Sequence, residues 1–321
     1  MAKPFKTIDE QYDLLLNRGI VFKDADKAKR HLIQNNYYKV INCYGKFFTV
    51  KNSDHYIPGT NFEEITEVQY FDEELKNILF KYIIEVEKHF KSIVSYHFSN
   101  QYADNYSYLM ANNFKKDDLL EVTTLISSLS KTIKKYKNYN FPNSIKHYVN
   151  NHNNVPLWVL CDYMSLGEII RFFEHLEISI QNKIAKDISH SLHLNLEISN
   201  ARINPNQIIS CLNNIREVRN AVAHNNRILD FKCRRNISYI KDLHSKYAIA
   251  ANHKKSDIYH IYIALQCFLT TNQFAQLHNA FRKKIRNLDK KLSTIDCNII
   301  LKSLGFPDDW YNISKINQEN V

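Results

Sequence analysis

The chain has 321 residues, enough to bury a large core as one large or two smaller domains. Only five glycines and six prolines punctuate it, which excludes a turn-rich all-β fold and favours long helices. Lys and Arg outnumber Asp and Glu by 43 to 33, for a formal charge of +10, so the surface suits anionic partners such as nucleic acid, although lysine-rich coding alone gives a similar balance.

The elements are readable in chain order. Thr7 with Glu10 three residues on forms a capping-box pattern, and Ile8, Tyr12, Leu15 and Leu16 make the apolar stripe of a helix over 7–18 that Gly19 ends. Asp24 or Asp26 starts a second helix through Ala28, Leu32 and Ile33 to the Tyr37-Tyr38 pair. Residues 40–48 stay apolar, and Pro58-Gly59 turns the chain. The longest helical signal covers 62–100, where apolar residues from Val68 and Phe71 to Phe90 and Ile93, then His97, recur every three or four positions without Gly or Pro. Such a helix is a spine for a bundle. A helix over 117–136 leads into the basic-aromatic tract KTIKKYKNYNF. There Lys134 and Lys135 are candidate phosphate contacts beside rings that can stack on bases; a solvated lysine face is the plainer reading.

Pro156 precedes a helix from Leu157, a break at Ser165-Leu166-Gly167 leads into 168–176, and 179–200 reads as a further helix. Beyond Asp230 lie a basic loop with Lys232, Arg234 and Arg235, then helices near 257–279 and 280–291, the second carrying Lys283 and Lys284. A turn at Pro307 and an anchoring Trp310 close the chain. No run demands a strand. The expectation is an all-α fold in three parts: an N-terminal helical region over 1–61, a helical bundle over 62–230, and a basic helical C-terminal region over 231–321.

The candidate chemistry lies in residues 206–229, NQIISCLNNIREVRNAVAHNNRIL. Pro205 sets a helix start, and Ile208, Leu212, Ile215, Val218 and Val222 mark one apolar face. Off that face stand Arg216, Arg219, Asn220, His224 and Arg227, with Asn225 and Asn226 beside them. Asn220 is one turn from His224 and His224 one turn from Arg227 if the helix continues, while Arg219 lies about 140° round from His224. An arginine, an amide and a histidine on one helix can form a phosphodiester site; a capping or interface network is the competing explanation. Arg-x4-His alone is weak in a chain with 14 histidines. His190 with His193, and His147 with His152, lack the further ligands of a metal site, and no zinc-finger, phosphate-loop, hydrolase or dinucleotide pattern occurs, so no metal or cofactor is expected. The six cysteines are scattered without a CxxC pair and suit buried thiols in a reducing compartment. The opening MAKPFKTIDEQ has no apolar signal region and no apolar run nears the roughly 20 residues that cross a bilayer, so a cytoplasmic protein without membrane contact is expected.

Several segments together resemble the abortive-infection proteins of the AbiD/AbiF type, an Abi-like branch of the HEPN superfamily. They are KPFKTIDEQYDLLLNRGIVF, Tyr37-Tyr38 with Tyr44, GTNFEEI at 59–65 and YFDEELKNIL with Asp72 and Leu75. Pro156-x-Trp158, Ser165-Leu166-Gly167, RNAVAHNNR and GFPDDW follow in the same order. The departures are Lys76 where arginine is usual, Val222 where cysteine is common, Asn225 where a second histidine is frequent, and INCY at 41–44. The resemblance implies an all-α HEPN-like bundle with an N-terminal helical extension, working as a homodimer. It implies a metal-independent ribonuclease toxin of anti-phage defence, with Arg219, His224 and Asn220 catalytic. Attack by the RNA 2′-hydroxyl needs proton transfer near neutrality, which histidine suits, and arginine forks suit the charged phosphorane. Arg216, Arg227, Asn225, Asn226 and the basic positions named above would hold the strand. The resemblance also admits a non-catalytic RNA-binding module, or a toxin held by a cognate non-coding antitoxin RNA.

Overall fold

A computed structural model describes residues 5–316, so Lys3 and Pro4 of the N-terminal block lie outside the described residues. Thr7 caps α1 (Ile8–Asn17), and its hydroxyl and the Glu10 carboxylate close the expected capping box. Asp24 caps α2 (Ala25–Asn35), which stops short of the tyrosine pair because Asn36 takes a positive φ of 62°. Residues 38–48 then pass through a π turn and a 3-10 turn.

Asn61 caps α3 (Phe62–Gln101), whose 40 residues span roughly 60 Å. Its apolar row is buried from Phe62 to Phe90 and continues through Val94 and Phe98, leaving Ile93 and His97 half-buried at the edge. After three short 3-10 turns come α4 (Leu119–Lys137) and α5 (Ser144–His152). The second of these was not expected from the sequence, although Asn143 supplies its N-cap. α6 (Leu157–Leu160) and α7 (Leu166–His175) follow; Ser165 caps α7 in a capping box with Glu168, so Gly167 lies inside the first turn rather than in a break. Phe172 and Phe173 of α7 pack on Phe98 and Phe90 of the spine. α8 (Ile178–Leu196) and α9 (Pro205–Ala223) also lie against α3.

The C-terminal region holds α10 (Lys241–Lys246), α11 (Ile258–Ala264), α12 (Thr271–Asp289) and α13 (Cys297–Leu304). Here the expected helices near 257–279 and 280–291 are divided differently. Thr270 forms a capping box with Gln273 and starts a new helix, which then runs unbroken through Lys283 and Lys284. Every residue of α11 is buried, so no amphipathic period marks its limits. α12 lies along α3, and Glu64 of α3 accepts from the amides and hydroxyls of Ser293 and Thr294. One contiguous apolar core extends from Leu15 to Trp310. The fold is all-α: among the described residues only isolated β-bridges form, and no helix is long and apolar enough to cross a membrane.

Candidate functional site

Asn204 caps α9 in a capping box with Gln207, and Pro205 takes the first helical position, where its missing N–H costs nothing. Ile208, Cys211, Leu212, Ile215 and Val218 form the buried row. The helix ends earlier than the expected continuation to Arg227. His224 is the C-cap, with its N–H still 3.1 Å from the Asn220 carbonyl. Asn225 turns left-handed at φ 52°, its N–H reaches Val222 O at 2.9 Å, and the Asn226 N–H reaches Ala221 O at 2.8 Å. This is a Schellman stop with asparagine in the position glycine usually takes. Arg227 therefore does not stand a turn from His224 on the helix; its Nη1 donates to the Cys43 carbonyl at 2.5 Å.

The loop after His224 is fixed from below by Asp72, which is fully buried in α3. Its carboxylate accepts from the Ile228 and Leu229 amides at 3.0 and 3.1 Å and from the Tyr44 hydroxyl at 3.0 Å. Lys76 Nζ lies 3.4 Å from Asp72 and donates to Asn225 Oδ1 at 2.7 Å. Burial pushes the Asp72 carboxyl above its ordinary range, against the pull of Lys76 and the two amides. Two of the positions that depart from the resembled pattern, Lys76 and Asn225, thus touch one another.

With that loop fixed, His224 and Asn220 are both exposed, and neither side chain has a hydrogen-bond partner among the described residues. Asn226 is exposed as well. Arg219 is half-buried with no ion-pair partner among the described residues, and its Nε is shut off from solvent without a hydrogen bond. A buried unpaired donor on a guanidinium is costly. Arg216 lies against α7: a Cβ built on Gly167 would come within 2.9 Å of its Nη1.

A second strip of chain runs antiparallel along α9 and brings further arginines to it. Gln207 Nε2 bonds Tyr239 O, Ser210 Oγ accepts the Ser238 N–H, Asn214 Nδ2 bonds Arg235 O, and Glu217 accepts the Arg234 N–H, at 2.8–3.0 Å. These four clips were not singled out from the sequence, although polar residues at 207, 210, 214 and 217 repeat every helical turn. Between the strip and α9 opens a groove of about 630 Å³ lined by Arg216, Arg234 and Arg235 with Ser210, Asn213 and Glu174 among others. Arg234 Nε lies 3.4 Å from Glu217; Arg216 and Arg235 have no carboxylate partner among the described residues.

Lys134, Lys135, Lys283 and Lys284 do not line this groove. The first two are exposed at the end of α4. Lys284 is paired with Glu74, while Lys283 lines a separate cleft of about 910 Å³ with Arg282, Arg286, Lys290 and Lys315. Among the described residues, no three His, Cys, Asp or Glu side chains gather as a metal site.

Residues 30–230, more than half of the chain, match the model of a family described as Abi-like protein. The chain belongs to the Abi-like family. Comparison with curated proteins and with solved structures finds no match. In this Abi-like chain the matched span starts inside α2 and ends at Asp230, so it holds Asp72, Lys76, Gly167 and all of α9 with the anchored loop. The arginine strip and the α12 cleft fall beyond it. Membership suggests a part in abortive-infection defence.

Proposed function

We propose that the chain is a metal-independent endoribonuclease toxin of an abortive-infection anti-phage system, of the HEPN type its sequence resembles. One observation carries this reading: Arg219 keeps a guanidinium without a partner, its Nε shut off from solvent, five positions from an exposed and unpaired His224. A phosphate seated there meets the Nη donors of Arg219, which unlike Nε are not shut off from solvent, and Arg216 adds charge from the neighbouring turn of α9. His224 takes the proton of the 2′-hydroxyl, whose oxygen attacks phosphorus; the bond to the 5′-oxygen breaks and that oxygen gains a proton. The products are a 2′,3′-cyclic phosphate and a 5′-hydroxyl. The leaving oxygen needs a second proton carrier, and a homodimer supplies the His224 of the other copy. Asn220, one turn from His224, orients the imidazole or the phosphate. Arg234 and Arg235 continue the cationic track, and Asn225 and Arg227 serve by holding the loop.

The chemistry is tested on a defined RNA in EDTA. The expected product carries a 2′,3′-cyclic phosphate, and a single 2′-deoxy substitution at the scissile nucleotide stops cleavage there. Continued cutting at the deoxy position contradicts the reading. The cationic cleft beside α12 favours a second one, in which the chain holds a cognate structured RNA through its phosphates. Growth arrest that persists in His224→Ala, with salt-sensitive RNA binding and no turnover, would favour that second reading.

A further inference from the structure

The turn after α4 exposes more aromatic surface than a solvated lysine face requires. Tyr163 and Tyr136 have ring centroids 4.5 Å apart, Tyr139 lies 6.0 Å from Tyr136, and Phe141 lies 5.9 Å from Tyr139. Successive planes are tilted by 59°, 51° and 52°, so the rings do not lie flush on each other; Tyr136 and Tyr163 are half-buried against the core, and Tyr139 and Phe141 are the outward rings. Tyr139 is 49% exposed and Phe141 68%. Single exposed rings need no explanation, but a contiguous run of them does.

The run is also held in place. Asn143 Nδ2 donates to the Tyr136 carbonyl at 2.9 Å and to the Phe141 carbonyl at 3.2 Å, Lys146 Nζ reaches the Tyr139 carbonyl at 3.2 Å, and the Tyr163 hydroxyl accepts the Ser144 N–H at 3.1 Å. Lys134, Lys135 and Lys137 lie with Tyr136 in the last turn of α4 and Lys131 about a turn earlier, all exposed and without a carboxylate partner among the described residues. Lys135 Nζ lies 5.2 Å from the Tyr136 ring centroid. Tyr163 stands four residues before Gly167, the glycine against which Arg216 lies, and four residues span at most about 14 Å. Ser128 of α4 bonds Glu168 of α7 at 2.8 Å and ties the two elements together beside that point.

We propose that Tyr136, Tyr139 and Phe141, with Lys134 and Lys135, form a stacking platform for unpaired bases of an RNA strand that continues from the α9 site past Gly167. Open aromatic faces take bases without regard to sequence, while surrounding lysines follow the phosphates. Only the choice of ribose over deoxyribose, and the continuity with a scissile bond, rest on the nuclease reading.

The test is fluorescence anisotropy in EDTA with the full chain carrying His224→Ala, so that no strand is cut, using a labelled unstructured RNA and a labelled RNA stem of equal length. Adding Tyr139→Ala with Phe141→Ala weakens binding of the unstructured RNA by about tenfold or more and leaves the stem unchanged. Tyr139→Phe keeps the parent affinity, since the ring and not the hydroxyl is used. Lys134→Gln with Lys135→Gln flattens the slope of log affinity against log salt by about 0.7 per lysine. Unchanged affinity in the ring double variant overturns the proposal and returns the patch to a protein segment; equal loss for stem and unstructured RNA overturns it too. Ring-dependent binding by a wild-type chain that cuts nothing would sink the nuclease reading and leave the platform standing.

Discussion

Asp72 meets no position where substrate would lie, yet it holds the residues that follow His224. Three donors and an ammonium converge on a fully buried carboxylate, so removing it strands Lys76 and two amides together. Asp72→Ala is expected to cost about 3–5 kcal/mol in chemical denaturation, the scale for breaking a buried charge pair. A loss below 1 kcal/mol would place the loop's anchorage elsewhere. Asn225 separates backbone from side-chain demands. Asn225→Gly keeps φ 52° and loses only the bond from Lys76, so it should cost under about 1 kcal/mol, whereas Asn225→Val adds left-handed strain of about 1–3 kcal/mol. The ranking of the two variants by denaturation midpoint checks this. From the sequence Asn225 reads as a strand-binding amide beside the histidine. Its engagement by Lys76, 149 positions away, leaves no local pattern to read.

Among the elements, those with a cap and a one-sided apolar row were legible. Thr7, Asp24 and Pro205 mark helix starts that the structure keeps, and α3 runs the length its spacing implies. The end of α9 was not legible, because the apolar residues Ile228 and Leu229 continue the helical spacing while serving the Asp72 loop. Nor was α11, buried on every side. Contact between α7 and α9 was likewise hidden, although Gly167 could be seen in the sequence. Gly167 has no positive φ, so Gly167→Ala strains no backbone, but the new Cβ displaces the Arg216 guanidinium from its seat. Thermal unfolding should therefore stay close to that of wild type while RNA turnover falls by about tenfold or more, as small misplacements of positioning groups do. Unchanged turnover would take Arg216 out of the site.

At the scale of the whole molecule, one core joins the matched family span to the C-terminal helices, and that core contains histidines held neutral. His244 is 1% exposed, and burial pushes its imidazole from 6.5 down to about 4; burial also lowers His278. A histidine lowered by folding binds its proton first in the unfolded chain, so stability is complete above the free value and falls as pH drops toward the folded one. Between pH 6.5 and about 4, His244 alone should remove about 3 kcal/mol, and His244→Gln should flatten that part of a denaturation-midpoint profile. A wild-type profile that is level across this window would contradict the burial of these groups. Charge and helical content were visible in composition, but the strip of chain along α9 was not, since its clips join residues 17 to 32 positions apart. On the same helix, ahead of the Asp72 loop, stand an unpartnered guanidinium and, five positions on, an exposed imidazole. The measurement that bears on this pair most directly is the rate of RNA cleavage in EDTA by wild type, Arg219→Ala and His224→Ala, with circular dichroism confirming the fold of each. Turnover by wild type and a loss of about 100-fold or more in both variants is the predicted result; cleavage at the wild-type rate by a folded His224→Ala chain would contradict it.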